Sequence, residues 1–131
     1  MNRRRGKRNQ VLLTNQALQD LISIEEYSIR TWSNRVANDY LDQIQAALER
    51  ISDNPEILRE EPNFHQSLFF HRINRHLLVC DVQRDAVFVL TVLHAGMNIP
   101  ERLNELEPVL KFEVETLHRQ LEQFRRTGSR Q

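Results

Sequence analysis

Apolar residues along this chain follow two periods, and the longest stretch with the strand period is residues 68–94. Three runs rich in aromatic, leucine and β-branched residues, 68–73, 76–82 and 86–93, are separated by two short polar breaks. Runs of this kind predict a three-stranded antiparallel meander. The last run is almost continuously apolar, which predicts a central strand buried on both faces.

The polar breaks have the residues that tight turns need. Asn74-Arg75 suits a two-residue hairpin, because asparagine tolerates positive φ. Gln83-Arg84-Asp85 predicts the second turn. The single cysteine, Cys80, falls inside the middle run, so we expect a small buried hydrophobe. Residues 10–14 form a further, shorter strand candidate.

Two helices are predicted between the first strand and the meander. Thr14 or Asn15 can cap the first helix, which should end near Trp32, and Ser33 or Asn34 can cap the second. The apolar stripe of the first helix is predicted to be Leu18, Leu21, Ile22, Ile29 and Trp32, with Ala17, Ile24 and Ser28 beside it. The second repeats at helical spacing through Ala37, Tyr40, Leu41, Ile44, Ala47, Leu48 and Ile51. The short connection predicts an antiparallel hairpin.

The second helix should stop before Pro55, and residues 54–67 have no period, which predicts a loop. After the meander, Asn98-Ile99-Pro100 opens a long helical pattern. Its apolar stripe is Leu103, Leu106, Leu110, Val114, Leu117, Leu121 and Phe124. Pro108 lies inside this pattern and predicts a break or kink near Glu107.

These elements predict an α+β fold of order β-α-α-β-β-β, in which a helical hairpin packs on an antiparallel sheet, with an extra C-terminal amphipathic helix. We expect a basic disordered tail over residues 1–9, one domain over 10–99 and a helical extension over 100–131. A chain of 131 residues suits one compact domain.

The charge is balanced but uneven. Five of the 18 basic residues are Arg3, Arg4, Arg5, Lys7 and Arg8, which leaves 13 basic against 18 acidic side chains in the rest. Long phosphate backbones favour basic surfaces, so we expect nucleic acid to be bound only weakly, through this tail. No apolar run approaches the ~20 residues of a membrane span. We expect a cytoplasmic protein without a membrane partner.

Sequence motifs for metal, phosphate or nucleophilic chemistry are absent, and we expect no cofactor, no metal site and no catalytic residue. His71, His76 and His94 lie on separate strands without the spacing of metal ligands. A metal-free ribonuclease would need positioned acid, base and cationic groups. The candidates on the sheet are Arg72, Arg75 and the same three histidines.

The helical hairpin resembles that of ParE toxins in the RelE/ParE superfamily. The matching residues are Leu21, Ile24, Tyr27-Ser28, Trp32, Ala37, Asp39-Tyr40, Ile44, Ala47 and Ile51-Ser52-Asp53-Asn54-Pro55. In the sheet, His71-Arg72-Ile73 stands at the family's Tyr-Arg-Val place. The segment from Val92 to Asn98 is similar to its Val-Leu-His…Met-Asp ending. The resemblance runs over residues 11–55 and 70–103.

This resemblance implies the toxin of a type II toxin–antitoxin, or plasmid stabilisation, system. It implies a cognate antitoxin, of ribbon-helix-helix type, and inhibition of DNA gyrase by protein binding. RelE-like relatives are instead ribosome-dependent mRNA endonucleases with arginines at the places of Leu77 and Ala95. Those two residues favour the ParE-like interpretation. A nuclease using Arg72, His71 or His94, and an inactive toxin-like binding module, remain the alternatives.

The resemblance places target binding at the strand ends and the following segment, namely Arg72, Arg75, His94, Met97 and Asn98. The C-terminal helix leaves three alternatives. It could fill the groove that an antitoxin helix occupies in relatives, pair with itself in a dimer, or add a layer of core on the helical hairpin.

Overall fold

The computed structural model describes residues 9–128, which form five strands, three α-helices and one 3₁₀ turn. In chain order these are β1 Gln10–Leu13, α1 Asn15–Thr31, α2 Asn34–Asp53, the 3₁₀ turn Pro55–Ile57, β2 Arg59–Glu60, β3 Phe69–Ile73, β4 His76–Val82, β5 Ala86–His94 and α3 Ile99–Gly128. The α+β class and the element order are confirmed, with the short β2 added before the meander. The basic side chains predicted to bind nucleic acid, Arg3 to Arg8, lie outside the described residues.

Both helix starts are capped as the sequence predicts. The Thr14 hydroxyl accepts a hydrogen bond from the backbone N–H of Ala17 at 3.0 Å, and the Ser33 hydroxyl accepts one from Val36 at 3.1 Å. Each bond satisfies one of the N–H groups that a helix leaves open at its first turn. The chain therefore reverses between α1 and α2 within two residues.

The five strands lie in the order β1-β5-β4-β3-β2, with β1 parallel to β5 and the other pairs antiparallel. The predicted central strand is confirmed, because β5 is buried from Ala86 to Leu93. The prediction of a plain loop over residues 54–67 is wrong. This segment holds the 3₁₀ turn and β2, which pairs with β3 over only two residues. Such short elements are too brief to show a sequence period.

One β-bulge divides β5 into two halves. Val79 pairs with Thr91 and Cys80 pairs with Val89, so Leu90 has no partner on β4. An extra residue in one strand reverses which of its side chains face each side of the sheet. Val89 and Val92, three residues apart, consequently pack in the same core.

Side chains in α1 and directly before it form hydrogen bonds with β5 at this bulge. The Thr14 hydroxyl donates to the carbonyl of Leu90 at 2.6 Å. The Asp20 carboxylate accepts from the N–H of Val92 at 2.8 Å and from the Thr91 hydroxyl at 2.5 Å. Because β1 ends at Leu13, these polar side chains take over the hydrogen bonds that a longer neighbouring strand would make.

The sheet has a hydrophobic core on each face, which makes three layers. On one face it packs against the helical hairpin through Ala17, Ile44, Ala47, Ile51, Ile73, Leu78, Cys80, Val87, Val89 and Val92. On the other face it packs against α3 through Phe70, Leu77, Val79, Phe88, Leu90, Leu93, Leu103, Leu106, Leu110, Leu117 and Leu121. The alternative that the C-terminal helix adds a layer of core on the helical hairpin is wrong, since the apolar stripe of α3 packs on the opposite face of the sheet.

Helix α3 runs antiparallel to β5 along its length. It begins five residues after β5 ends, the ring of His118 lies 5.1 Å from that of Phe88, and Arg125 forms an ion pair with Asp85. The predicted break near Glu107 is wrong, because α3 is one helix through Pro108, and a kink there stays a prediction. Pro108 is exposed, and Leu106 and Leu110 are both buried, so packing on either side favours a continuous helix.

Two details of the predicted helix stripes are wrong. On α1 the residues turned inward are Ala17, Leu21, Ile24 and Ser28, whereas Leu18, Ile22, Ile29 and Trp32 are exposed. Thr14 donates a hydrogen bond to β5 and Asp20 accepts two from it, and these contacts favour this rotation over the one that would bury more apolar side chains. On α3 the last predicted core residue, Phe124, is exposed. No helix within residues 9–128 is long and apolar enough to cross a membrane.

Candidate functional site

A cavity of about 740 Å³ lies between the helical hairpin and the ends of β3, β4 and β5, and we call it the hairpin cavity. It is lined by Ser23, Ile24, Tyr27, Ser28, Trp32, Val36, Asp39, Tyr40, Gln43, Asn74, Arg75, His76 and His94. Concave sites that combine aromatic walls with a few convergent polar groups are typical ligand or partner sites.

The turn between β3 and β4 forms one side of the hairpin cavity, and α2 holds it. Asn74 adopts a φ of 53°, which an asparagine accepts in a two-residue hairpin. Its side-chain amide donates to the Gln43 side-chain oxygen at 2.8 Å. The predicted hairpin at Asn74-Arg75 is thereby confirmed, and the turn is tied to α2 across the cavity.

Tyr40 makes the second link between α2 and this turn. Its hydroxyl donates to the carbonyl of Ile73 at 2.8 Å and lies 2.7 Å from Nδ1 of His76. A phenol has one proton, so both contacts form together only when Nδ1 of His76 carries a proton and donates to the Tyr40 oxygen. The neutral His76 ring then has its proton on Nδ1, and Nε2 is an acceptor.

His94 lies beside His76 at the end of the sheet. The two residues pair across β4 and β5, and their ring centroids are 5.6 Å apart in an edge-to-face arrangement. Nδ1 of His94 accepts a hydrogen bond from the backbone N–H of Gly96 at 3.0 Å. In the neutral ring the proton is therefore on Nε2, which leaves one N–H donor on this exposed side chain.

The charges around His76 give this end of the cavity a positive potential. Burial lowers the pKa of His76, and the neighbouring His94 and Arg75 lower it further, while Asp20 raises it. Burial also raises the pKa of Tyr40. Each shift disfavours the charged form of a half-buried ring. The Tyr40–His76 pair is consequently neutral at neutral pH, beside the permanent charge of Arg75.

Aromatic side chains of α1 form the opposite, open wall. Tyr27 is 56% exposed and Trp32 is 58% exposed, although both are large and apolar. Trp32 terminates α1, where its backbone N–H bonds to the carbonyl of Ser28. Exposed tryptophan, tyrosine and arginine around one concavity are the residue types that dominate binding energy in protein interfaces.

The structure brings together two of the five predicted target-binding residues, Arg75 and His94. Arg72 lies outside the hairpin cavity, where its Nε donates to the carbonyl of Asn74 at 2.7 Å. Met97 is exposed after β5, and the Asn98 side chain caps α3 by accepting from the N–H of Glu101 at 3.2 Å. The binding role of all five stays a prediction.

Sequence reasoning missed the residues that α1 and α2 contribute to the hairpin cavity, above all Tyr27, Trp32 and Tyr40. Helical spacing places Tyr40 on an apolar stripe, whereas in the structure its hydroxyl links the helix to the sheet. All three are among the residues that carry the resemblance to ParE toxins, and Trp32 is also a large aromatic at a helix end next to a capping serine. Such positions are solvent-accessible more often than the middle of a helix.

The part of the chain that the structure describes has neither a cluster of metal ligands nor a reactive thiol. Residues 9–128 contain no group of three or more His, Cys, Asp or Glu side chains able to hold a metal ion. Cys80 is fully buried as predicted, and burial raises the pKa of its thiol to about 12. It is therefore protonated and inert at neutral pH.

Comparison with known proteins identifies the family. Residues 11–99 match the family model described as the ParE toxin of the type II toxin–antitoxin system parDE. No curated protein matches the chain. A structure titled as the chromosomal ParDE system from P. aeruginosa superposes with a TM-score of 0.61 at 11% identity, covering 69% of this chain and 99% of that one.

A second structure, the RelBE2 toxin–antitoxin complex from Mycobacterium tuberculosis, has a TM-score of 0.48 at 18% identity, covering 68% of this chain and 94% of that one. Among the described residues, the family match leaves out Asn9, Gln10 and the part of α3 that follows Ile99. The match spans more than half of the residues, including the helical hairpin and all five strands from Val11 onward. The chain belongs to the ParE toxin family of type II toxin–antitoxin systems.

Proposed function

We propose that this protein inhibits DNA gyrase by protein binding, without catalysing a reaction, and is neutralised by a cognate antitoxin of the ribbon-helix-helix type. Family membership supports the toxin class. The observation that carries the binding mechanism is the hairpin cavity, where Trp32, Tyr27 and Arg75 are exposed around one concavity. Residues of these types supply most of the binding energy in protein interfaces.

The experiment is a supercoiling and cleavage assay with purified gyrase, together with induced expression in a bacterial host. The expected result is loss of supercoiling, accumulation of cleaved DNA and a DNA damage response. Trp32→Ala should weaken inhibition at least about tenfold, since an interface hot spot costs about 2 kcal/mol or more. Phe124→Ala is the matched control, because Phe124 is equally exposed at 59% but lies on α3.

One observation favours a second candidate function, an mRNA endonuclease of the RelE type. The hairpin cavity contains two imidazoles, a phenol and a guanidinium, from His76, His94, Tyr40 and Arg75. Such groups can move protons and stabilise a phosphorane. His71 and Arg72, which the nuclease alternative also names, lie outside the cavity. Cleavage of mRNA in a translating extract, abolished by His94→Ala, would establish this function in place of gyrase inhibition.

Antitoxin binding and dimerisation through α3 need an experiment that does not involve gyrase. The P. aeruginosa structure is titled as a toxin–antitoxin system, which supports a protein partner for this chain. Helix α3 already buries its apolar stripe on its own sheet, so the fold favours a monomer over pairing through that stripe. Sedimentation of the full chain, alone and with the product of an adjacent small reading frame, measures both. Phe112 is exposed on α3, and Phe112→Ala should leave the affinity for the antitoxin unchanged.

A further inference from the structure

We propose that the hairpin cavity binds a peptide segment in which an aromatic side chain lies next to a carboxylate. This inference deepens the proposed function by naming the partner chemistry that the same site accepts. It rests on two features that face each other across the cavity: an uncovered aromatic wall on the helices, and a cationic, donor-rich floor at the strand ends. A ligand must satisfy both to bind well.

The aromatic wall is built to take a flat side chain. Tyr27 lies on α1, Trp32 directly follows α1 and Val36 lies in the first turn of α2, and all three are at least two-fifths exposed. Ile24 and the buried Ser28 lie between them at the bottom of the wall. An aromatic ring inserted here would cover apolar surface on the protein and stack against other rings in offset or edge-to-face contact.

The floor presents donors from Arg75 and His94 beside one acceptor, Nε2 of His76. Within residues 9–128, the guanidinium of Arg75 makes no ion pair. The Nε2 proton of His94 is also available, because Nδ1 is occupied by the N–H of Gly96. Asp39 is the one carboxylate among the described residues that line the cavity. A ligand carboxylate can therefore accept charge-assisted hydrogen bonds from Arg75 and His94.

The charged groups facing His76 agree with this assignment. Asp20 lies on α1, Asp39 on α2, Arg75 on the β3–β4 turn and His94 on β5. Arg75 and His94 lower the pKa of His76, which is the effect of a positive local potential. A bound carboxylate would oppose that potential and favour protonation of His76. Affinity for the anion should consequently rise as the pH falls.

The floor is held in place before any ligand arrives. Tyr40 fixes His76 through Nδ1 and also bonds to the carbonyl of Ile73. Gln43 fixes the Asn74 side chain. A site whose polar groups are already positioned loses less conformational entropy on binding. The donors therefore select a ligand by geometry as well as by charge.

A peptide fits these observations better than a nucleotide does. A nucleobase could stack on Trp32 and a phosphate could reach Arg75, but a nucleic-acid strand carries many charges. Residues after Arg8 have 13 basic and 18 acidic side chains, so the body of the protein repels a polyanion. A single carboxylate meets only the local positive charge at the floor.

The test uses the full chain with two small probes that differ in one group, N-acetyl-L-tryptophan and its neutral amide. Binding is followed by NMR, through the indole N–H of Trp32 and the imidazole signals of His76 and His94. The acid should bind about tenfold more tightly than the amide, the ratio that one hydrogen bond to a charged group supplies. The ratio should grow as the pH falls below about 6.5, because the pKa of His76 is lowered from that value and its ring gains a proton only there.

Three variants locate the effect. Arg75→Met should remove the preference for the acid and leave amide affinity unchanged, and Arg75→Lys should retain the preference. Arg84→Met is the matched control, since Arg84 is an exposed arginine in the other hairpin turn, outside the cavity. It should change neither affinity.

Equal affinity for the acid and the amide, tighter binding of adenosine monophosphate, or no saturable binding to the cavity overturns the inference. Because these measurements contain no gyrase and no antitoxin, they test the ligand chemistry independently of the proposed function. Inhibition of gyrase without acid selectivity removes this inference alone. Acid selectivity without gyrase inhibition removes the proposed target and keeps the ligand chemistry.

Discussion

The phenol oxygen of Tyr40 lies 2.7 Å from Nδ1 of His76, and the same hydroxyl donates to the carbonyl of Ile73. These residues belong to α2 and to the β3–β4 hairpin, which are far apart in the chain. One side chain thus joins the helical hairpin to the sheet at the floor of the hairpin cavity. The stability of the fold and the protonation of His76 are therefore coupled through it.

Replacing Tyr40 by phenylalanine should therefore lower the free energy of unfolding. The ring stays, but the half-buried carbonyl of Ile73 and Nδ1 of His76 lose their partner, at a cost of about 1–2 kcal/mol. Urea unfolding measures the change. Tyr27→Phe is the matched control, because Tyr27 is exposed, and it should leave the free energy of unfolding unchanged. Equal effects of the two substitutions would contradict the structural role of the Tyr40 hydroxyl.

Acid should destabilise the fold through two histidines. Burial lowers the pKa of His71 and of His76 from 6.5, with Arg50 adding to the effect at His71. Between 6.5 and the lower native values, the unfolded chain binds more protons than the native state does. This part of the stability is present above about pH 6.5 and is lost as the pH falls through the native pKa values.

Urea unfolding across this pH range, with NMR titration of the imidazoles, measures the effect. His76→Asn should reduce the pH dependence, since an asparagine amide can still donate to Tyr40 but does not titrate. Stability that is constant or rises towards acid pH would show that the native pKa values are not lowered.

Loss of the Asp20 carboxylate should destabilise β5 next to its bulge. In Asp20→Ala, the N–H of Val92 and the buried hydroxyl of Thr91 lose their acceptor, at a cost of about 2–3 kcal/mol. Asp20→Asn keeps one acceptor oxygen and should cost less. Asp42→Ala, an exposed carboxylate on α2, is the control. Hydrogen exchange should report faster opening of the Val92 amide in Asp20→Ala alone.

Helix α3 should contribute to the core through its inner stripe and not through its outer face. Leu117 is buried against the sheet, whereas Phe112 is 65% exposed although it is larger. Leu117→Ala should cost about 2–5 kcal/mol of unfolding free energy, and Phe112→Ala should stay within about 0.5 kcal/mol. Calorimetry or urea unfolding measures both. A larger loss from Phe112→Ala would mean that a partner or second copy covers the outer face.

Much of the fold could be predicted because local chemistry and the fold agree. The polar breaks at Asn74 and Gln83, the caps at Thr14 and Ser33, and the continuous apolar run of β5 each predicted what the structure contains. Where prediction was wrong, a distant contact had outweighed a local preference. Pro108 lies inside α3 because the sheet holds the leucines on either side of it, and Leu18 is exposed because Asp20 fixes the rotation of α1.

Only part of the candidate site could be predicted from the amino-acid sequence. Arg75 and His94 could be predicted because both lie at strand ends, where the resemblance to ParE toxins places binding residues. Tyr27, Trp32 and Tyr40 could not, because helical periodicity does not say which face of a hairpin meets which end of a sheet.

The amino-acid sequence by itself determined the elements, their order, the turns and the family, since these depend on residue types at short spacing. Only the tertiary structure decided that α3 covers the sheet face opposite the helical hairpin. It also decided that a β-bulge at Leu90 depends on Thr14 and Asp20, and that Tyr40 reaches His76. These are contacts between residues more than thirty positions apart, whose geometry depends on how whole layers pack.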